Sequence, residues 1–426
     1  MQEPASPTAQ AGIATPAAVA RYAARVAFVV ELAEHLHLYG TTAQRLEGAL
    51  VGVASELGLD CEPMSNPTGM VLSFSDPLRP PGLSDITRVI RLPPGDTDLA
   101  KLCEADRIAE EVMAGRLDIA AGHAALRALE RPPTRRGNAA QELGFGLAAA
   151  AIAGLLRLPW LDITTAGATG VLIGLLELAT RGRPQLREAG EALSALAAGF
   201  VAIAVATFVA PLNLNTVIIA ALIVLVPGMS LTNAVNELTS QHLVSGVARF
   251  AGALATVMKL TVGTAIALAV AHLAGLEPQV RAWRPQPDAV EWGALVVAAF
   301  SFALLFRTAR RDYPVVMLAA IGGYLISRLG GEAWGSPIGI FLSALVSTAA
   351  GNGYARWVRR PGALVRVPGI LMLVPGSASL RGVMTLVQQQ DAAVGQSAAV
   401  GVLNILLALI AGLLFGNLLL PPRRNL

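Results

Sequence analysis

Two short stretches carry the residues best suited to holding a small solute inside an apolar medium. "LVPGMSLTNAVNEL" occupies 225–238 and "LVPGSASLRGVMTL" occupies 373–386, each at the end of an apolar run. Their Pro-Gly pairs, Pro227-Gly228 and Pro375-Gly376, fall 148 positions apart. Proline lacks an N–H and clashes with the preceding helical turn, so each pair interrupts a helix and frees backbone groups. Deep in a bilayer such groups survive only where protein buries them or water lines a cavity. Freed N–H groups at the start of a half-helix attract anions and freed carbonyls attract cations. A zwitterionic amino acid supplies both charges. Asn213 and Asn215 precede the first break, Ser230 and Asn233 follow it, and Ser377 follows the second. Their amides and hydroxyls can hydrogen-bond a neutral polar solute, and they serve helix packing equally well. The plainer alternative for each Pro-Gly pair is a helix end at the membrane surface.

Ionisable groups held away from water are a second class of candidate, because charges at membrane depth are costly enough to be functional by default. Three qualify. Glu237 follows the first break, in or near a cytoplasmic loop, where a solvated acid is the alternative. Glu177 stands four residues before Arg181, a spacing that also suits a surface ion pair. Lys259, ten residues past Arg249, either snorkels to the interface or faces the pathway.

No catalytic, cofactor or metal site is expected. There is no Gly-rich phosphate loop, no HExxH and no GxSxG. His35 and His37, two apart, point to different faces of a helix and read as solvated. Arg45 and Glu47 read as helix surface. Cys61 and Cys103 read as free thiols of a reducing compartment.

The elements that must position these residues follow from composition. Of 426 residues, 54% are hydrophobic and 14% charged, where a soluble domain carries about 25% charged. The excess is confined to 139–426. The chain therefore reads as a polytopic α-helical membrane protein preceded by a small soluble α+β domain. Residues 1–16 are a disordered lead-in without a signal peptide's basic start, and 17–138 form the cytoplasmic domain. In the latter, helices on both sides of "HLYGTT", a hairpin through "CEPMSNPTGMVLSF", a strand at "ITRVIRL" and two closing helices give the order ααβββαα.

Apolar segments at 141–156, 162–180, 192–210, 214–232 and 248–274, then 292–306, 313–329, 336–355, 364–387 and 395–420, predict ten spans. The membrane halves are 139–275 and 290–420. With both termini cytoplasmic, the inner loops hold Arg131, Arg135, Arg136, Arg181, Arg183, Arg187, Arg249, Arg307, Arg310, Arg311, Arg356, Arg359, Arg360, Arg423 and Arg424. The outer loops hold Arg157, Arg281, Arg284 and Arg328, a positive-inside bias. All five tryptophans lie at or near span ends. Five spans per half turn the second half upside down, a 5+5 inverted repeat, and matched interrupted segments in such repeats point to a secondary transporter's site. The net charge of +3 is small, so nucleic acid is no partner. Gly/Ala faces allow either a self-sufficient chain or a homo-oligomer.

Longer stretches carry a resemblance. "LYGTTAQRLEGALVGVASELGL", "NPTGMVLSF", "DLAKLCEADRIAEEVMAGRLDIAAGHAAL", "LVPGMSLTNAVNELTSQHLVSGVARF" and "VPGILMLVPGSASLRGVM" together resemble the threonine/serine exporter family of bacterial membrane proteins, from about residue 22 to 420. Asn236-Glu237 departs from an Arg-Asp pair frequent in that family. The resemblance implies export of threonine and serine by proton antiport through the bacterial inner membrane, with small amino acids, protons and lipid as partners. Residues alone reach a ten-span secondary transporter; a membrane-tethered enzyme with a hydrolytic N-terminal domain and an amino-acid or small-metabolite channel are the alternatives.

Overall fold

The computed structural model describes residues 16–77, 85–180, 183–281, 285–374, 380–384 and 392–422. They divide into two compact units, one ending at Asp96 and resuming over Lys101–Arg131, the other comprising Thr97–Ala100 and Pro132–Arg423.

In the first unit α1 (Pro16–Leu38) and α2 (Ala43–Glu56) precede β1 (Asp60–Asn66), β2 (Gly69–Ser75) and β3 (Ile86–Arg91), followed by α3 (Leu99–Met113) and α4 (Ile119–Ala128). Helix α1 stops where Gly40 takes φ 84°, a conformation glycine adopts without strain. The hairpin turns because Asn66 Oδ1 accepts from the Thr68 amide and hydroxyl, both at 2.9 Å, a side-chain mimic of a backbone turn. The strands form an antiparallel sheet in the order β1-β2-β3. Its inner face (Cys61, Met70, Leu72, Phe74) is buried, as are Leu46, Leu50 and Val53 of α2.

Three surface expectations are corrected here. His35 and His37 are buried, not solvated: His35 Nδ1 lies 2.8 Å from the Glu31 carbonyl and His37 Nε2 lies 3.1 Å from that of Pro93. Glu47 accepts from the Ser65 amide at 2.7 Å and hydroxyl at 2.8 Å, tying α2 to β1. Arg45 is half-buried, and burial lowers it to about 10. Polar residue type hid these positions because backbone and side-chain partners make their burial tolerable.

The second unit is helical: α5 (Arg135–Leu155), α6 (Trp160–Thr180), α7 (Pro184–Glu188), α8 (Gly190–Phe208), α9 (Leu214–Ala221), α10 (Gly228–Thr239), α11 (Leu243–Leu273), α12 (Asp288–Leu305), α13 (Tyr313–Trp334), α14 (Ser336–Trp357), α15 (Ala363–Leu371) and α16 (Ala392–Leu419). Among the described residues, α6, α8, α11, α12, α13 with its preceding 3-10 turn, α14 and α16 are the seven helices long and apolar enough to cross a membrane. That is a polytopic helical membrane protein. Helix α5 packs on α6 and α12, α8 on α11, α13 on α14, and α14 on α16. A Cβ on Gly144 would meet Leu304 and Leu305, whereas one on Gly154 would meet Ala294. Rising numbers on α5 thus oppose falling numbers on α12, and the two helices run antiparallel.

The segment expected as one span at 214–232 is two short helices. Helix α9 has 8 residues and α10 has 12, about 12 and 18 Å at roughly 1.5 Å per residue, each short of the ~30 Å hydrocarbon core. The chain leaves helical geometry at Leu222, five residues before the proline, through tight turns such as Leu225 N–H to the Leu222 carbonyl at 2.9 Å. Pro227 is the N-cap of α10 and so opens a helix, against the alternative of a helix end at this pair. The segment expected at 364–387 is likewise divided: α15 contains Pro368 and ends at Leu371, and a short helical stretch covers 380–384.

Candidate functional site

The α9–α10 break places a helix start inside the second unit. Leu214, Val217, Ile218, Leu222 and Val226 belong to its largest apolar cluster, and Leu380 and Met384, just past the second break, belong to the same one. Both interrupted segments therefore feed a common core. Pro375, Gly376 and Ser377 lie outside the described residues. Gly228 is buried and Pro227, Ser230 and Asn233 are half-buried around the start of α10. The first amides of any helix lack intrahelical partners, so this start offers donors in an apolar setting. Thr232 spends its hydroxyl on the Gly228 carbonyl at 3.2 Å. Asn215 is exposed on α9.

Asn213 has a different task. As N-cap of α9 it donates to Asp162 Oδ2 from its side-chain amide at 2.6 Å and its backbone N–H at 3.2 Å. Asp162, in the first turn of α6, is 0% exposed. Sequence reasoning passed over it. A matching contact stands in the second half. Asp312, directly before α13, is buried and receives Arg360 from the loop leading into α15, one bond measuring 2.7 Å. The acids are 150 positions apart and their partners 147, close to the 148 between the Pro-Gly pairs.

Five residues before each acid stands an arginine in the left-handed region, Arg157 at φ 55° and Arg307 at φ 48°. Each ends its helix with the same pair of bonds: Arg157 N–H to the Gly154 carbonyl and Leu158 to Ala153, Arg307 to Leu304 and Thr308 to Ala303. These close the helix in the manner usually left to glycine. Each guanidinium then reaches the start of the other half's first helix. Arg157 binds the Gln286 carbonyl and pairs with Asp288 at α12, while Arg307 donates to Gln141 Oε1 of α5 at 2.9 Å. The signal was legible as "RLPWLD" and "RTARRD", an Arg-x4-Asp repeated 150 positions on.

The three ionisable candidates separate. Glu237, expected near a loop, lies within α10 at 0% exposure; it accepts from Ser245 Oγ at 2.8 Å and from Arg249 Nε and Nη2, both at 3.1 Å. A bidentate guanidinium gives a buried carboxylate the charge and geometry it needs. Lys259 pairs with Glu191 in the first turn of α8 at 3.4 Å. Glu177 is half-buried near the end of α6; Arg181, its expected partner, lies outside the described residues. One pair was missed altogether: buried Glu291 on α12 receives the Tyr324 hydroxyl at 2.7 Å and Arg328 of α13.

The first unit carries a cavity of about 1220 Å³ whose lining includes Arg21, Arg25, Asp76, Asp118, His123 and Arg127. Much of its charge is matched in place, Arg25 by Asp76 at 3.1 Å and His123 and Arg127 by Glu31 at 2.6 and 3.2 Å. In the same unit burial, with a smaller push from Glu62, raises the Cys61 thiol to about 12. Burial, then Glu31, raises Glu34 above its ordinary value.

Comparison with known families gives two matches. One threonine/serine exporter model matches residues 27–271 and a second matches 292–419. No curated protein and no solved structure matches the chain. Together the two models span nearly all of the described molecule, and the chain belongs to the threonine/serine exporter family.

Proposed function

We infer that the chain is a secondary active exporter of small hydroxylated amino acids, threonine and serine, working by alternating access in antiport with protons. Ten spans, with α9–α10 and α15–384 each counted as one interrupted crossing, form a 5+5 inverted repeat. The observation that carries this reading is the duplicated corner: helix end, left-handed arginine, acid five residues on, and a bond from that acid to the loop entering the broken helix. Two copies of one such corner, on first helices that run antiparallel, are what an inverted repeat produces. Alternating access is then one half rocking against the other around a fixed central site.

The substrate lies beside the α9–α10 break and the second Pro-Gly. Its carboxylate meets the start of α10, where the helix dipole favours negative charge, with Ser230, Asn233 and Ser377 offered to its hydroxyl and ammonium. The family membership supplies the substrate class and the direction of transport. The first unit is cytoplasmic, as are both termini, and the membrane is the bacterial inner membrane; the positive-inside bias of the arginines supports this orientation.

The test is efflux of preloaded labelled threonine from proteoliposomes. Efflux accelerated by an imposed inward proton gradient, and slowed when Pro227→Ala disturbs the cap of α10, is expected. Efflux indifferent to the gradient would reject the coupling, and saturation-free flux in both directions would recast the protein as a channel.

A further inference from the structure

The sheet of the first unit has two edges, and only one of them is closed. In an antiparallel ladder bonded pairs alternate with non-bonded ones. The β2–β3 register and the bond from the Leu92 N–H to the Thr68 carbonyl at 3.2 Å set the phase. Ile86, Arg88 and Ile90 therefore turn their backbone groups to β2, while Thr87, Val89 and Arg91 turn theirs outward. By the same alternation Cys61, Pro63 and Ser65 face outward from β1. That edge is blocked: proline has no N–H to offer, and the Ser65 amide is taken by Glu47 of α2 at 2.7 Å. Among the described residues no hydrogen bond reaches the outward backbone groups of Thr87, Val89 or Arg91. Val89 is 79% exposed, and it ends a row, Met64–Val71–Val89, that crosses all three strands on the solvent face.

An open edge is a template for another strand, and the sequence of this one fits itself. Pairing strands must set residues of the same face opposite each other and bring their outward backbone groups together. Two copies of "DITRVIR" (85–91) do both when Val89 opposes Val89 about a two-fold axis. Thr87 then opposes Arg91 and Arg88 opposes Ile90, and each outward N–H and C=O from Thr87 to Arg91 gains a partner. Asp85 falls diagonal to Arg91 of the second copy, a pairing of opposite charges between exposed residues. The two Arg88 side chains are diagonal on the other face, where both are exposed and water screens them. The neighbouring registers are worse. One sets Arg88 directly on Arg88, and the other sets Thr87 against Pro93, which has no donor. We propose that β3 joins β3 of a second copy of this chain in the Val89–Val89 register, an isologous contact. One sheet then runs through both first units, with the Met64–Val71–Val89 row unbroken across the axis.

The experiment is oxidative cross-linking and light scattering on the purified full-length chain in detergent. Opposed residues of a bonded antiparallel pair have Cα atoms about 5.5 Å apart, within reach of a disulfide, and the native thiols are buried. Val89→Cys should link to itself. Thr87→Cys and Arg91→Cys, mixed, should link to each other but not each to itself, because like positions there stand about 13 Å apart along the strands. Light scattering should find two chains per particle in the parent and one in Val89→Pro, which removes an outward N–H and leaves the bonds to β2 in place. Thr87→Glu, set opposite Arg91 at two symmetric places, should tighten the dimer by about two- to thirtyfold, and Thr87→Arg should loosen it as much. Both changes are at an exposed position and spare the fold. A monomeric parent, a dimer that Val89→Cys does not link, or one indifferent to both Thr87 changes would overturn the β3 contact. These readouts use neither substrate nor gradient, so their failure leaves the exporter reading standing, and failed efflux leaves the contact untouched.

Discussion

At the scale of single residues, burial and pairing decide which charged groups shape the membrane unit. Glu237 was legible in sequence as an acid after a helix break, but its partner was not: Arg249 lies 12 residues on, across a turn into the next helix, and Ser245 supplies the third bond. The pair differs from Lys259–Glu191, whose lysine is 42% exposed; exposed pairs contribute at most about 1 kcal/mol. Arg249→Met should therefore destabilise strongly, by about 3–5 kcal/mol, because it strands a buried carboxylate, whereas Lys259→Met should shift stability by less than about 1 kcal/mol. Thermal unfolding in one detergent checks both. Equal small shifts would mean that Glu237 reaches water. Asp162–Asn213 was beyond the reach of the sequence for a related reason: its partners are 51 residues apart, and an Asp in a short turn carries no mark of burial.

At the scale of elements, sequence signals worked where the cause is local. Gly40 marks the end of α1, Asn66 marks the hairpin turn, and Pro227 marks an interruption. They misjudged where the cause is tertiary. At Pro227 the interruption was legible but not its start, five residues earlier at Leu222, where short turn bonds take over and leave the proline as a cap. Close helix contacts show the same limit. Gly322 and Gly323 are neighbours and look alike in sequence. A Cβ on Gly323 would overlap the Gly369 carbonyl of α15, while one on Gly322 would meet nothing within 4 Å. Gly322→Ala should be neutral or stabilise by up to about 1 kcal/mol through helix propensity. Gly323→Ala should cost about 1–3 kcal/mol by forcing α13 off α15. Melting temperatures of the two variants in detergent separate them, and a matched response would show that α15 does not pack here.

At the scale of the whole molecule, the Pro-Gly spacing predicts two halves, and two arginines link the segments assigned to them. Arg157 ends α5 and reaches the start of α12; Arg307 ends α12 and reaches the start of α5. Each half thus fastens the other through the residue that turns its own first hairpin. The arginines were counted in the sequence only as loop charge, because an exchange of partners between halves leaves no trace in spacing alone. Such an exchange on antiparallel helices requires the two turns to lie at opposite faces of the membrane. Leu156 and Arg310 are exposed beside those turns and suit single cysteine replacements. The native thiols give little background, since Cys61 and Cys103 are buried and Cys61 stays protonated until about pH 12. A membrane-impermeant maleimide added to intact cells should modify Leu156→Cys and spare Arg310→Cys, and inverted vesicles should give the reverse. Labelling of both from one face would place the turns together and dissolve the inverted repeat, and with it the ground for a central site shared by two broken helices.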